Sequence, residues 1–170
     1  SFYVCFGFAQ SGVVYSGPHT IIASADGVDL ALMQSTIHTE WAWQFCSTMR
    51  NSGIRYNPSD FRKFPRPISL DGMSNVAEEF SSLRQSVMRD RNYGLTALYN
   101  DYHCADAQFP SIKFLREKQL EIDQKIFDAY DWGDLQPSLE FRETKQGIRY
   151  TFPKELSEEI TRRLAALNKN

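Results

Sequence analysis

Apolar positions recur at helical spacing through most of the second half of the chain, and at strand spacing in shorter runs near the start. Residues 2–8 are an aromatic and β-branched run, and residues 13–15 and 20–23 are short β-prone pieces set apart by Gly12 and by Gly17-Pro18. Such runs between turn signals predict a small sheet. Asp26 or Asp29 then caps a predicted helix whose apolar positions Leu30, Ile37, Trp41 and Phe45 keep helical spacing to about Cys46. Ser47-Thr48-Met49-Arg50 follows as a loop, with a short strand expected at residues 54–57.

Pro58, Pro65 and Pro67 exclude a long helix from the next segment, which reads as irregular and basic. From about Asn75, the spacing of Val76, Phe80, Leu83 and Val87 predicts a helix. Leu95, Leu98, Tyr99 and Tyr102 repeat the pattern after Gly94, as a second helix or a bent continuation of the first, to about His103. Leu115, Ile122, Ile126 and Ala129 form one stripe of a helix over residues 111–129. Residues 141–144 and 148–152 predict a hairpin with Gly147 in the left-handed region. Pro153 suits the first turn of a last helix with Leu156, Ile160, Leu164 and Leu167 on its apolar face. The expected fold is α+β: a small N-terminal sheet with a helix, then a mainly helical bundle carrying one hairpin. Residues 1–68 and 69–170 are the two expected units.

Charge changes this picture locally. The formal net charge is −2, so no uniform attraction to nucleic acid exists. Between residues 50 and 66, however, Arg50, Arg55, Arg62, Lys63 and Arg66 face a single acid, Asp60. The three cysteines, Cys5, Cys46 and Cys104, are too far apart for a zinc site and odd in number. They are expected as reduced thiols of a cytoplasmic protein. No apolar run approaches the ~20 residues that span a bilayer, so no membrane partner is expected. Strand-like sequence directly after Ser1 is what a piece cut from a longer chain would show.

Candidate chemistry begins with Asn57-Pro58-Ser59-Asp60, which opens like the Asn/Asp-Pro-Pro-aromatic signature of amino-group DNA methyltransferases. It lacks the second proline, and a carboxylate stands where the ring that stacks on a flipped base belongs. Phe6-Gly7-Phe8 lacks the βαβ context of a methyl-donor site, and bending of a strand accounts for Gly7. His103-Cys104 pairs a base with a nucleophile, but adjacent side chains rarely face each other, and a structural histidine beside a buried thiol explains it better. Glu140, Glu143 and Lys145 are a thin version of a nuclease cluster and read as a surface hairpin. The basic segment offers more. Arg50, Arg55, Arg62, Lys63 and Arg66 suit phosphates, and Ser47, Thr48, Asn57 and Ser59 add short hydrogen-bonding groups. Arginine and asparagine also match guanine and adenine edges. A charged, solvated surface loop is the plain alternative.

The blocks Ser35-Thr36-Ile37-His38-Thr39-Glu40-Trp41-Ala42, Ser47-Thr48-Met49-Arg50, Arg55-Tyr56-Asn57-Pro58-Ser59-Asp60 and Phe64-Pro65-Arg66-Pro67 resemble the C-terminal target-recognition region of large adenine-specific DNA methyltransferases. That family includes type IIG restriction-modification enzymes and methylases of related phage-defence systems. Residues 94–100, 130–132, 141–144 and 147–150 are similar to blocks that follow this region, so the resemblance covers most of the chain. It implies a DNA-binding fragment without a catalytic residue, cofactor or metal of its own. Duplex DNA and an upstream methyltransferase domain of the same polypeptide would be its partners. S-adenosylmethionine would serve the parent enzyme, whether or not that enzyme also cleaves DNA. The implied DNA-binding set is Ser47, Thr48, Arg50, Arg55, Tyr56, Asn57, Ser59, Asp60, Arg62, Lys63 and Arg66. Phe61-Arg62-Lys63 is more basic than the family's residues at that place. Trp41, Tyr56 and Phe64 are expected to anchor the loop, since aromatics at such spacing are usually core. The alternative function is a protein-interaction module that packs on partner domains without touching DNA.

Overall fold

The computed structural model describes residues 3–9, 11–12, 14–15, 20–23, 27–49 and 53–168. In chain order its elements are α1 (Val28–Gln34), α2 (Thr36–Phe45), β1 (Ser47–Met49), β2 (Gly53–Arg55), α3 (Pro58–Lys63), α4 (Met73–Arg91), α5 (Leu95–Tyr102), α6 (Pro110–Ala129), β3 (Glu140–Thr144), β4 (Gly147–Thr151) and α7 (Lys154–Leu167). The fold is α+β. Among the described residues there are two sheets, both antiparallel pairs, β1 with β2 and β3 with β4.

The small sheet near the start is not built from the expected pieces. Residues 3–9, 14–15 and 20–23 hold no strand, and the remaining residues of those runs lie outside the described ones. Backbone groups of the first segment are taken up by side chains from elsewhere: the Phe6 N–H donates to Gln34 Oε1 at 3.3 Å, and Arg84 donates to the Phe6 carbonyl at 2.5 Å. Buried backbone groups must find partners, and these side chains replace a strand ladder. A Cβ on Gly7 would stand 3.0 Å from the Arg84 guanidinium, so the glycine makes room for that arginine.

The predicted helix over residues 29–46 is two helices. Ser35 is extended (φ −61°, ψ 152°), its hydroxyl accepts from the His38 N–H at 3.1 Å and donates to the Leu32 carbonyl at 2.7 Å. A serine that caps one helix ends the preceding one. Residues 30–38 are buried without interruption, which places this junction at the centre of the molecule. Asp123 of α6 reaches it, accepting from the Thr36 N–H at 2.7 Å and the Thr36 hydroxyl at 2.6 Å.

α4 and α5 are separate helices, because Asn92 closes α4 in the left-handed region (φ 53°) and the Tyr93 N–H returns to the Met88 carbonyl at 2.8 Å. The β3–β4 hairpin turns through Lys145-Gln146, with Gly147 at φ 91° as its spacing predicts. Arg116 of α6 donates to the carbonyls of Asp101, Tyr102, Cys104 and Ala107, and its guanidinium lies 4.9 Å from the centre of the Phe141 ring. One buried cation thereby ties the loop after α5 and the hairpin to α6.

A single hydrophobic cluster runs from Leu30 through Phe64, Phe80, Ile122 and Phe152 to Leu164. α1 packs on α4, and α2 packs on both α6 and α7. Residues on both sides of the boundary expected at residue 68 contribute to this cluster.

Candidate nucleic-acid interface

The basic segment is a β-hairpin followed by a short helix, all fastened to one side of α2. β1 and β2 pair with Ser47 opposite Arg55, Thr48 opposite Ile54 and Met49 opposite Gly53. Strand alternation buries Ile54 and leaves Arg55 in solvent, alongside exposed Ser47 and Thr48. The residues expected to be irregular after Asn57 form α3. Pro58 occupies the first helical turn, where its missing N–H costs nothing. Asp60 Oδ2 accepts from the Asn57 N–H at 2.7 Å and from the Asn57 side-chain amide at 3.1 Å. Asn57-Pro58-Ser59-Asp60 is thus the start of a helix, with the carboxylate three residues on reaching back to the N-cap. That role fits Ser59 and Asp60 where a methyl-transfer motif would require proline and an aromatic ring.

Aromatic packing fixes the unit to α2. Phe64 is buried, with its ring 4.8 Å from that of His38 and 5.2 Å from that of Trp41 in edge-to-face geometry. Tyr56 points inward: its hydroxyl lies 3.0 Å from His38 Nε2 and its ring 5.3 Å from that of Phe6. Thr20 donates to the Tyr56 carbonyl at 2.7 Å, and Tyr130 donates to that of Pro65 at 2.5 Å. Burial holds His38 neutral, lowering its pKa to about 3 against a smaller opposite effect from the Met33 backbone. Burial likewise pushes the Cys46 thiol up to about 12, with Asp60 adding in the same direction, and raises Tyr56.

The cations divide into two groups. Arg66 forms an ion pair with Asp29 of α1 and lies over the Phe61 ring at 5.2 Å, so it ties the segment down. Arg55, Arg62 and Lys63 are exposed, and among the described residues none of them forms an ion pair. Arg50 lies outside the described residues. Of the expected contact set, Ser47, Thr48, Arg55, Arg62 and Lys63 are each exposed, and Ser59 is half-buried. Tyr56, Asn57, Asp60 and Arg66 are committed to holding the unit together.

A second concave region has no counterpart among the sequence motifs. A cleft of about 470 Å³ opens between α2, the β3–β4 hairpin and α7, lined by residues from Tyr3 to Thr161. Glu40 closes its floor, accepting from Thr151 at 2.8 Å, Ser157 at 2.6 Å and Arg142 at 3.4 Å. These partners are more than a hundred residues away in sequence, so no local motif announces them. His103 lines the same cleft; its Nδ1 accepts from the Tyr150 N–H at 3.0 Å, and burial, aided by Arg149 and Arg116, lowers its pKa to about 3. The thiol of Cys104 beside it is exposed, not buried as expected. Glu140 and Glu143 sit on the exposed hairpin. Among the described residues no three of His, Cys, Asp and Glu gather as a metal site would require, and no helix is long and apolar enough to cross a membrane.

Compared with known proteins, the chain matches no family model, no curated protein and no solved structure.

Proposed function

We propose that this chain is the DNA-binding, target-recognition part of an adenine-specific DNA methyltransferase of the restriction-modification type. It would hold duplex DNA for a catalytic domain elsewhere in the parent polypeptide, where S-adenosylmethionine supplies the methyl group. The supporting observation is the division of charge in residues 53–66: the one carboxylate is folded into the helix cap, while Arg55, Arg62 and Lys63 are held outward on a rigid aromatic base. Phosphates are bound by cations presented in this way, and short polar neighbours such as Ser47 and Thr48 add hydrogen bonds to the backbone.

The test is a salt titration of duplex binding by the whole chain and by Arg55→Ala/Arg62→Ala/Lys63→Ala. Affinity should fall steeply with salt. The variant should flatten the log–log slope by roughly one unit per phosphate contact removed. A variant that binds as the parent does, with its fold intact, removes this surface from the account. A second reading, a module that packs on partner domains, draws support from exposed Phe45, Phe114 and Ile148. Binding of that kind would vary little with salt.

A further inference from the structure

We infer that the cleft between α2, the β3–β4 hairpin and α7 binds a nucleoside phosphate, either free or as one residue of a nucleic-acid single strand. The cleft lies across α2 from the basic segment, so its occupancy does not depend on duplex binding there. At about 470 Å³ it falls in the size range of small-molecule sites.

Its wall offers what a base and a phosphate need. Half-buried Trp43 of α2 and Tyr150 of β4 are among the residues that line the cleft, and stacking on an aromatic ring serves every base. Four cations line it, Arg142, Lys145, Arg149 and Lys154, against two acids, Glu40 and Glu158. Arg142 is engaged by Glu40 and Lys154 by Glu158, which leaves Lys145 and Arg149 as the excess on a chain whose net charge is −2. Arg149 lies over the Tyr3 ring at 5.1 Å and spends one N–H on the Ile148 carbonyl at 2.8 Å. Among the described residues the rest of its planar fork has no hydrogen-bond partner, and it can pair with phosphate oxygens. His103 adds a neutral donor. Because its Nδ1 accepts from Tyr150, the single proton of the uncharged ring resides on Nε2.

The Glu40 network explains why the site is preformed. α2, β4 and α7 are joined through one carboxylate, so the aromatic and cationic walls are held at a fixed separation before any ligand arrives.

Calorimetric titration of the whole chain with each of the four deoxynucleoside monophosphates, with deoxyadenosine, with inorganic phosphate and with a short single-stranded oligodeoxynucleotide tests this. Expected is saturable binding of the monophosphates, the oligonucleotide or both, stronger than for deoxyadenosine or phosphate alone. Arg149→Ala should weaken it by roughly tenfold or more, and Lys145→Ala less. Trp43→Ala should weaken it by roughly fivefold or more. Monophosphates binding better than the strand identify a free nucleotide as the ligand, and the reverse order identifies a strand. Absence of binding by every probe overturns the proposal. So does affinity unaffected by both Arg149→Ala and Lys145→Ala in variants whose circular dichroism and thermal unfolding match the parent's.

Discussion

The two sides of α2 are built by opposite means. Toward the hairpin and α3, His38 and Trp41 meet Tyr56 and Phe64 in a dry aromatic contact. Toward α6 and α7, Thr36 and Glu40 enter polar networks with Asp123, and with Thr151 and Ser157. The first side spends almost no charge on holding its partner, so the cations of residues 55–63 remain in solvent. The second side uses most of its charge on itself and leaves only Lys145 and Arg149 in excess. Apolar anchoring and surface charge coexist readily, because a buried ring does not neutralise an arginine; a salt-bridged anchor does.

The sharpest way to break this contrast is Phe64→Ala. Removing a buried ring from the aromatic side should cost about 4 kcal/mol, measured as a shift of the urea midpoint at unchanged slope. If the variant stays folded, duplex binding should fall with it, because Arg55, Arg62 and Lys63 lose their base.

Acid should strike the two sides through their histidines. His38 titrates at about 3 when folded and near 6.5 when unfolded, so the unfolded chain takes up a proton between those values and the native one does not. The stability that neutral His38 contributes is complete above pH 6.5 and is lost as pH falls toward 3, on the order of 5 kcal/mol in all. His103 acts in the same direction. Asp123 opposes them: burial raises its pKa to about 7, so between the ordinary carboxylate value and 7 the native state holds the extra proton and gains stability on acidification. Unfolding followed across this range should show net destabilisation by acid. His38→Gln should make the profile shallower, even if the variant is less stable overall.

Glu40→Gln is a smaller change. It keeps the shape and one acceptor but removes the charge that Arg142 pairs with, and should cost about 2 kcal/mol. Its effect should appear as loosening of β4 and α7 in hydrogen exchange, with β1–β2 protected as before. Smallest of all should be the stability change in Arg62→Ala or Lys63→Ala, within about 0.5 kcal/mol. A larger loss from either would mean that those side chains hold the fold together, as Arg66 does through Asp29.

Helices with a clear apolar stripe are legible from the amino-acid sequence. α4, α6 and α7 follow Val76-Phe80-Val87, Leu115-Ile122-Ile126 and Ile160-Leu164, and each of these side chains is buried. The second hairpin is legible from Gly147. The N-terminal runs mislead because β-prone composition says only that a segment suits a half-buried surface; here Gln34 and Arg84 supply the hydrogen bonds that a neighbouring strand would have made. The break at Ser35 is hidden because apolar spacing continues across it, although serine is a common cap. Within the basic segment, the spacing of Asn57 and Asp60 carries a readable capping signal. Nothing local shows that Arg66 is drawn to Asp29, thirty-seven residues earlier.

Periodicity, caps and charge are properties of neighbours along the chain. The sequence alone therefore sets where the strongly periodic segments become helical, and that five cations crowd one proline-stiffened stretch. Which of those cations stay in solvent is decided only by packing, and packing alone assembles the cleft from Tyr3, Glu40, His103, Arg142 and Ser157. The reason is physical: burial and ion pairing depend on which distant groups arrive at the same place, and that is set by the packing of α2 against every layer around it.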